Sequence, residues 1–244
     1  MCGRYGFVPG KNLYKRFKIG ASGQGQGARG TKGKELILKA SYNVAPGRMM
    51  PVIIRQSPNQ IVEMKWGLVP HWAEGVKIGY KMINARAETL ESRPAFRTLL
   101  HSKRCLVPAN GFYEWKHKGN AKTPYYIKLL NEEYFSMAGL YDVWKDKDGK
   151  ELMSYTIITT DSNPMLSKIH DRMPVILNRI GEDKWLGSER EKGQGERDKV
   201  KGEGIDELLS LLVPYPADEM QAYQVSSLVN SPKNDSEKLI EAIK

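Results

Sequence analysis

From residue 41 to residue 177 the chain repeats one pattern: a short run rich in Val, Ile, Tyr, Trp or Thr, then a break at Pro, Gly, Asn or Asp. The runs at 51–56 (PVIIRQ) and 61–66 (IVEMKW) alternate in polarity across SPNQ, which predicts a β-hairpin. Residues 105–116 (CLVPANGFYEWK) read as a strand, a Pro-Ala-Asn-Gly turn and a second strand. Strand patterns also fill 3–9, 41–47, 124–130, 134–144, 152–163 and 223–230, with a turn at 146–149 (DKDG). Helical spacing is confined to short pieces: Leu13, Tyr14 and Phe17; Phe96, Leu99 and Leu100; IDELLSLL at 205–212; and a capped helix at 236–244. The pattern predicts an α+β chain with a β-rich core and a few flanking helices, and leaves its topology open.

Two stretches break the pattern. Residues 21–34 are Gly-rich and polar, and residues 187–204 are dense in charges of both signs. Both read as flexible insertions in one domain spanning 1–244, not as linkers between two. The Gly-rich stretch has no GK[ST] ending, so it is not a phosphate loop.

Charge bears on partners. The formal net charge is +10, which favours an anionic partner, nucleic acid ahead of a membrane surface. No apolar run reaches the roughly 18 residues of a membrane span, and the N-terminus lacks a secretory apolar core, so a cytoplasmic, non-membrane protein is expected. Two cysteines make no disulfide framework, and no HExxH or CxxC spacing occurs, so neither metal nor cofactor is expected.

One of those cysteines is Cys2. Once Met1 is removed, by an aminopeptidase or by the protein itself, Cys2 carries an α-amine and a thiol on adjacent carbons. An α-amine titrates near ~7.7–8.0, against ~10.4 for Lys, so part of it is neutral and nucleophilic at pH 7. It can condense with an aldehyde to an imine, and the thiol can close on that imine to give a five-membered thiazolidine.

Other residues invite attention singly. Glu114 stands between Tyr113 and Trp115, where a raised pKa would suit acid–base work, although an exposed strand Glu is the plainer reading. Asn84 and Arg86 alternate with Ala in INARAET and project from one face. His170 and Arg172 sit at the mouth of an apolar run. The WGLVPHW stretch (66–72) reads either as a core corner or as an aromatic platform for bases.

Taken in order, MCGRY, SYNVAPG, WGLVPHW, INARAET, PAFR…RCLVPANGFYEW, MAGLYDVW, TIITTDSNP and IHDRMPVIL resemble the SRAP proteins, SOS response-associated peptidases. The blocks run from residue 1 to about 180, and 213–234 is similar to the closing segment of that family. The resemblance implies a barrel-like core of mostly antiparallel strands, in a monomer that binds abasic sites in single-stranded DNA and crosslinks to them through the N-terminal Cys. It implies Cys2 as nucleophile, Asn84 as a positioning group, Glu114 as base for the α-amine and His170 as acid–base for sugar opening. Arg4, Arg86 and Arg172 would hold phosphates, with Trp66 and Gly67 beside the lesion and Pro46 in a loop near the site. Two other readings stand beside it: a thiol peptidase or N-terminal-nucleophile hydrolase using Cys2 with His170 and Glu114, and a noncatalytic DNA-binding module.

Overall fold

The computed structural model describes residues 2–20, 28–29, 37–56, 59–119, 121–187 and 203–243. The predicted hairpin is present: β4 (Met49–Ile54) pairs antiparallel with β5 (Gln60–Trp66). Strands β7 (Arg104–Ala109), β10 (Phe135–Lys145) and β11 (Glu151–Asp161) extend it, in the order β11-β10-β7-β4-β5. The ring then closes: β5 meets β11 in parallel, with Ser154 beside Lys65 and Tyr155 beside Trp66. Closure removes the open edges that an extended sheet would leave unpaired. Three short strands attach around this five-stranded barrel. They are β6 (Asn84–Arg86), parallel to β11, β12 (Arg172–Pro174), antiparallel to β11, and β13 (Ile176–Leu177), against β10.

A second sheet has the order β14-β9-β8-β1-β3, formed by β14 (Met220–Gln224), β9 (Ala121–Leu129), β8 (Gly111–Lys118), β1 (Arg4–Phe7) and β3 (Ser41–Val44). One hydrophobic core joins it to the barrel, through Tyr5 against Trp66 at 5.2 Å and Phe112 against Phe135 at 6.4 Å between ring centroids. Helices α1 (Leu13–Arg16), α2 (Pro94–Ser102), α3 (Arg179–Leu186) and α4 (Glu203–Ser210) flank the sheets. The Phe96, Leu99 and Leu100 stripe of α2 is buried as its spacing predicts, and Pro94 opens that helix. Asn178 caps α3, accepting the Gly181 N–H at 2.8 Å.

Three expectations are corrected. The C-terminal helix is only a 3₁₀ turn, Glu237–Ile240, because the chain beyond it is drawn into extended pairing: Val225 bridges Ala242, and Ile243 donates to the Gln224 carbonyl at 3.1 Å. The strand expected over 223–230 ends at Gln224, where Ser226 caps a 3₁₀ turn, Ser227–Asn230. Within the Gly-rich stretch, β2 (Ala28–Arg29) lies parallel to Ile61–Val62 of β5. The rest of that stretch, and 188–202 of the charged one, lie outside the described residues.

Candidate active site

Cys2 lies two residues before β1, whose register against β8 pairs Arg4 with Tyr113 and Tyr5 with Phe112. Continuing that register by one residue brings Gly3 level with Glu114. Cys2 and Glu114 are both buried, close enough that the carboxylate acts on the thiol. Burial pushes the Glu114 carboxyl up to about 7, and the nearby Asp171 carboxylate adds to the rise. The plainer expectation of an exposed strand Glu is therefore wrong: Glu114 is 2% exposed. His170 faces it, with Nε2 3.9 Å from Glu114 Oε2. Burial holds His170 below its ordinary value. A carboxyl raised to about 7 thus stands beside an imidazole, two groups of the kind that carry protons in acid–base chemistry. The Cys2 thiol behaves differently. Burial, reinforced by Glu114, keeps it protonated, and it donates weakly to the Arg4 carbonyl at 3.8 Å.

Strand β6 supplies the next residues. Asn84 lies beside Ile157, and Arg86 beside Thr159, so these four side chains share one face. Asn84 Nδ2 donates a long bond to the Ile157 carbonyl at 3.4 Å, while its buried Oδ1 accepts none among the described residues. It is an acceptor prepared for an O–H or N–H donor. The buried Thr159 hydroxyl also has no partner among the described residues. Sequence reading passed over Thr159, one of several Thr in a strand; only its register with Arg86 singles it out. Outward from Asn84 runs a groove of about 490 Å³ lined by Trp72, Lys81, Arg86, Arg93 and Phe96 among others. Among the described residues no His, Cys, Asp and Glu side chains gather as a metal site.

The WGLVPHW stretch divides its two tryptophans. Trp66 is 1% exposed, packed between Tyr5 and Tyr155, and its indole N–H donates to the Ile83 carbonyl at 2.9 Å. Its ring is core and is not available to stack on a base; this corrects the expectation. Trp72, six residues on, is 55% exposed and lines the groove. Gly67 is buried too. It has φ +115°, and a Cβ there would sit 2.6 Å from the Gly79 carbonyl oxygen, so close backbone approach requires glycine at this position. The loop is anchored further along, where the buried Asp142 carboxylate accepts the His71 N–H at 2.8 Å and the Lys103 ammonium. Pro46 is half-buried in the β3–β4 turn, next to Gly47, whose Cα faces the exposed Tyr80 ring.

The family model described as SOS response associated peptidase (SRAP) matches residues 1–232. The chain belongs to the SRAP family. It is 51% identical over 204 residues to the abasic site processing protein YoqW of Bacillus subtilis, covering 83% of this chain and 86% of that one. It is 31% identical to the abasic site processing protein HMCES of Gallus gallus, covering 97% of this chain and 76% of that protein. A crystal structure of a Bacteroides thetaiotaomicron protein shares the fold, with a TM-score of 0.72, 35% identity, and 85% of this chain and 88% of that one covered.

The arginines of this SRAP chain stand in different surroundings. Arg86 is exposed in the groove. Arg4 is turned onto the protein: Nη1 donates to Asn43 Oδ1 at 2.7 Å and to the Val229 carbonyl at 2.8 Å, and Nη2 to the Asn230 carbonyl at 3.2 Å. Arg172 is buried and more tightly held. Nη1 donates to Glu88 at 2.7 Å and Asp161 at 2.6 Å; Nη2 donates to Glu88 at 3.0 Å and to the Thr159 carbonyl at 2.7 Å. A phosphate reaching Arg172 must displace a carboxylate. Replacing this fork by a point charge loses the bidentate pairing. Arg172→Lys is expected to lower the melting temperature by several degrees, at a cost of about 1–3 kcal/mol; thermal denaturation followed by circular dichroism measures it.

Proposed function

We propose that this SRAP protein binds abasic sites in single-stranded DNA and forms a covalent thiazolidine crosslink through Cys2. The observation that carries the reading is that Cys2, two residues before β1, is buried within electrostatic reach of a buried Glu114, with His170 3.9 Å from that carboxylate. The names of the relatives as abasic site processing proteins support the same substrate.

The chemistry follows from these groups. An abasic deoxyribose is mostly a closed hemiacetal. His170 exchanges protons with the hydroxyl and ring oxygen to open it, and Asn84 Oδ1 accepts from the hydroxyl as it is positioned. After Met1 is removed, Glu114 takes a proton from the α-ammonium of Cys2. The free amine attacks the aldehyde, and water leaves to give the imine. The Cys2 sulfur then adds to the imine carbon while the thiol proton moves to nitrogen, closing the ring. Overall, one water is lost. The imine, which invites β-elimination and strand scission, is consumed. A thiol that stays protonated until this step suits late closure better than it suits a thiol peptidase, which needs a thiolate at the outset. Arg86, Lys81 and Arg93 line the groove with positive charge for the phosphate chain, and Trp72 offers a stacking face.

Intact mass spectrometry tests this after mixing with single-stranded DNA carrying one abasic site. A denaturation-resistant adduct one water lighter than the sum is expected, absent with undamaged DNA and with Cys2→Ala. No adduct from protein whose mass shows a free Cys2 terminus overturns the reading.

A further inference from the structure

The loop that carries His170 sets a second carboxylate on the ring. Asp171 Oδ1 lies 2.9 Å from His170 Nδ1, while Glu114 approaches the opposite nitrogen. The same Nδ1 lies 3.0 Å from the Arg172 backbone N–H. These neighbours make opposite demands: the N–H needs a lone pair there, and the carboxylate needs a proton. Asp171 is held in place. Its carbonyl accepts the Ser162 N–H at 3.0 Å, and the next residue, Arg172, pairs with Asp161 in the β11–β12 ladder. The other titratable groups acting on the ring are the N-terminal ammonium, which opposes the imidazolium, and Glu114 and His117 of β8; the Arg172 guanidinium is taken up by Glu88 and Asp161.

We propose that Asp171 is a positioning residue for His170: its carboxylate holds the Nδ1 side of the ring and favours the imidazolium, so that Nε2 can deliver a proton towards Glu114 and the reacting sugar. The catalytic half of this rests on the crosslinking reading above. An exposed carboxylate in hydrogen-bond range moves a histidine by about half a pH unit.

The test is a proton NMR titration of the full chain, with His170 assigned by its loss in His170→Gln. Asp171→Asn is expected to lower the His170 midpoint by about half a pH unit, and Asp171→Glu to restore most of it. His71, His101 and His117 serve as internal references. In parallel, crosslinking rates on abasic single-stranded DNA are followed against pH. The limb that needs the imidazolium is expected to move to lower pH in Asp171→Asn, with a rate about three-fold lower above the midpoint. A His170 midpoint unchanged in Asp171→Asn overturns the proposal, as does a shifted midpoint with an unmoved rate profile. A shifted midpoint in a protein that never crosslinks keeps the Asp171–His170 coupling and overturns the abasic-site reading instead.

Discussion

Glu114→Gln is expected to slow adduct formation about a hundred-fold or more, and to make the folded protein more stable at alkaline pH. Both effects come from one displaced equilibrium. The carboxyl titrates at about 7 in the fold, because burial penalises its charged form, against an ordinary value of 4.5. The folded state therefore holds a proton that the unfolded chain releases between those two values. Stability is greatest below the unfolded value and is lost as pH rises towards 7. The full difference is on the order of 3 kcal/mol. Gln removes the titration, so denaturant melts of wild type and Glu114→Gln should diverge as pH rises from 5 to 8. The rate profile should change with them. Wild-type crosslinking rises with pH as Glu114 becomes a base, and in the variant that limb should move up to the titration of the α-amine itself, near ~7.7–8.0. A variant as fast as wild type at pH 8 would remove Glu114 from the mechanism.

Gly67→Ala is expected to destabilise the protein by about 3–5 kcal/mol. Two costs combine at this position. The backbone has φ +115°, which side-chain-bearing residues rarely adopt, and the new Cβ would meet the Gly79 carbonyl oxygen at 2.6 Å. That obstacle is backbone, so no rotamer change relieves it. Gly79 is in the same position, since its own Cβ would lie 2.7 Å from the Gly67 oxygen. The contact holds the 3₁₀ turn Val76–Lys81, which carries Lys81 of the groove, against the end of β5. Thermal melts should show the loss of stability, and salt-dependent binding to single-stranded DNA should weaken even at temperatures where the variant stays folded.

Local signals carried much of this architecture. The polarity alternation around SPNQ marks a hairpin, the turn chemistry of PANG marks the break at which the chain passes from β7 of the barrel to β8 of the second sheet, and the stripe of α2 marks its buried face. Ring closure was not legible, because the parallel contact of Tyr155 with Trp66 joins residues far apart in sequence and leaves no local pattern. The site was legible as residue types rather than as environments. Asn84 and Arg86 share a face as their alternation implies. Glu114 is buried because its strand is the centre of a sheet, which one sequence does not reveal. The two tryptophans of WGLVPHW show the limit most plainly: identical side chains six residues apart, one sealed against tyrosines and one facing the groove. Arg172 is similar, since only the fold brings Glu88 and Asp161 to it.

The bonds from Arg4 to Val229 and Asn230 give the order of synthesis a meaning. On the ribosome Cys2 emerges early, but Val229, whose carbonyl fastens the neighbouring arginine, follows that arginine by 225 residues. Asn43 is in the same position, waiting for the carbonyls of Val229, Ser231 and Asn234. Contacts of such long sequence separation form late in folding. A nascent chain that has not yet extruded residues 229–234 would thus carry an unseated nucleophile, and the arrangement that directs it would form only once that segment is free to fold back.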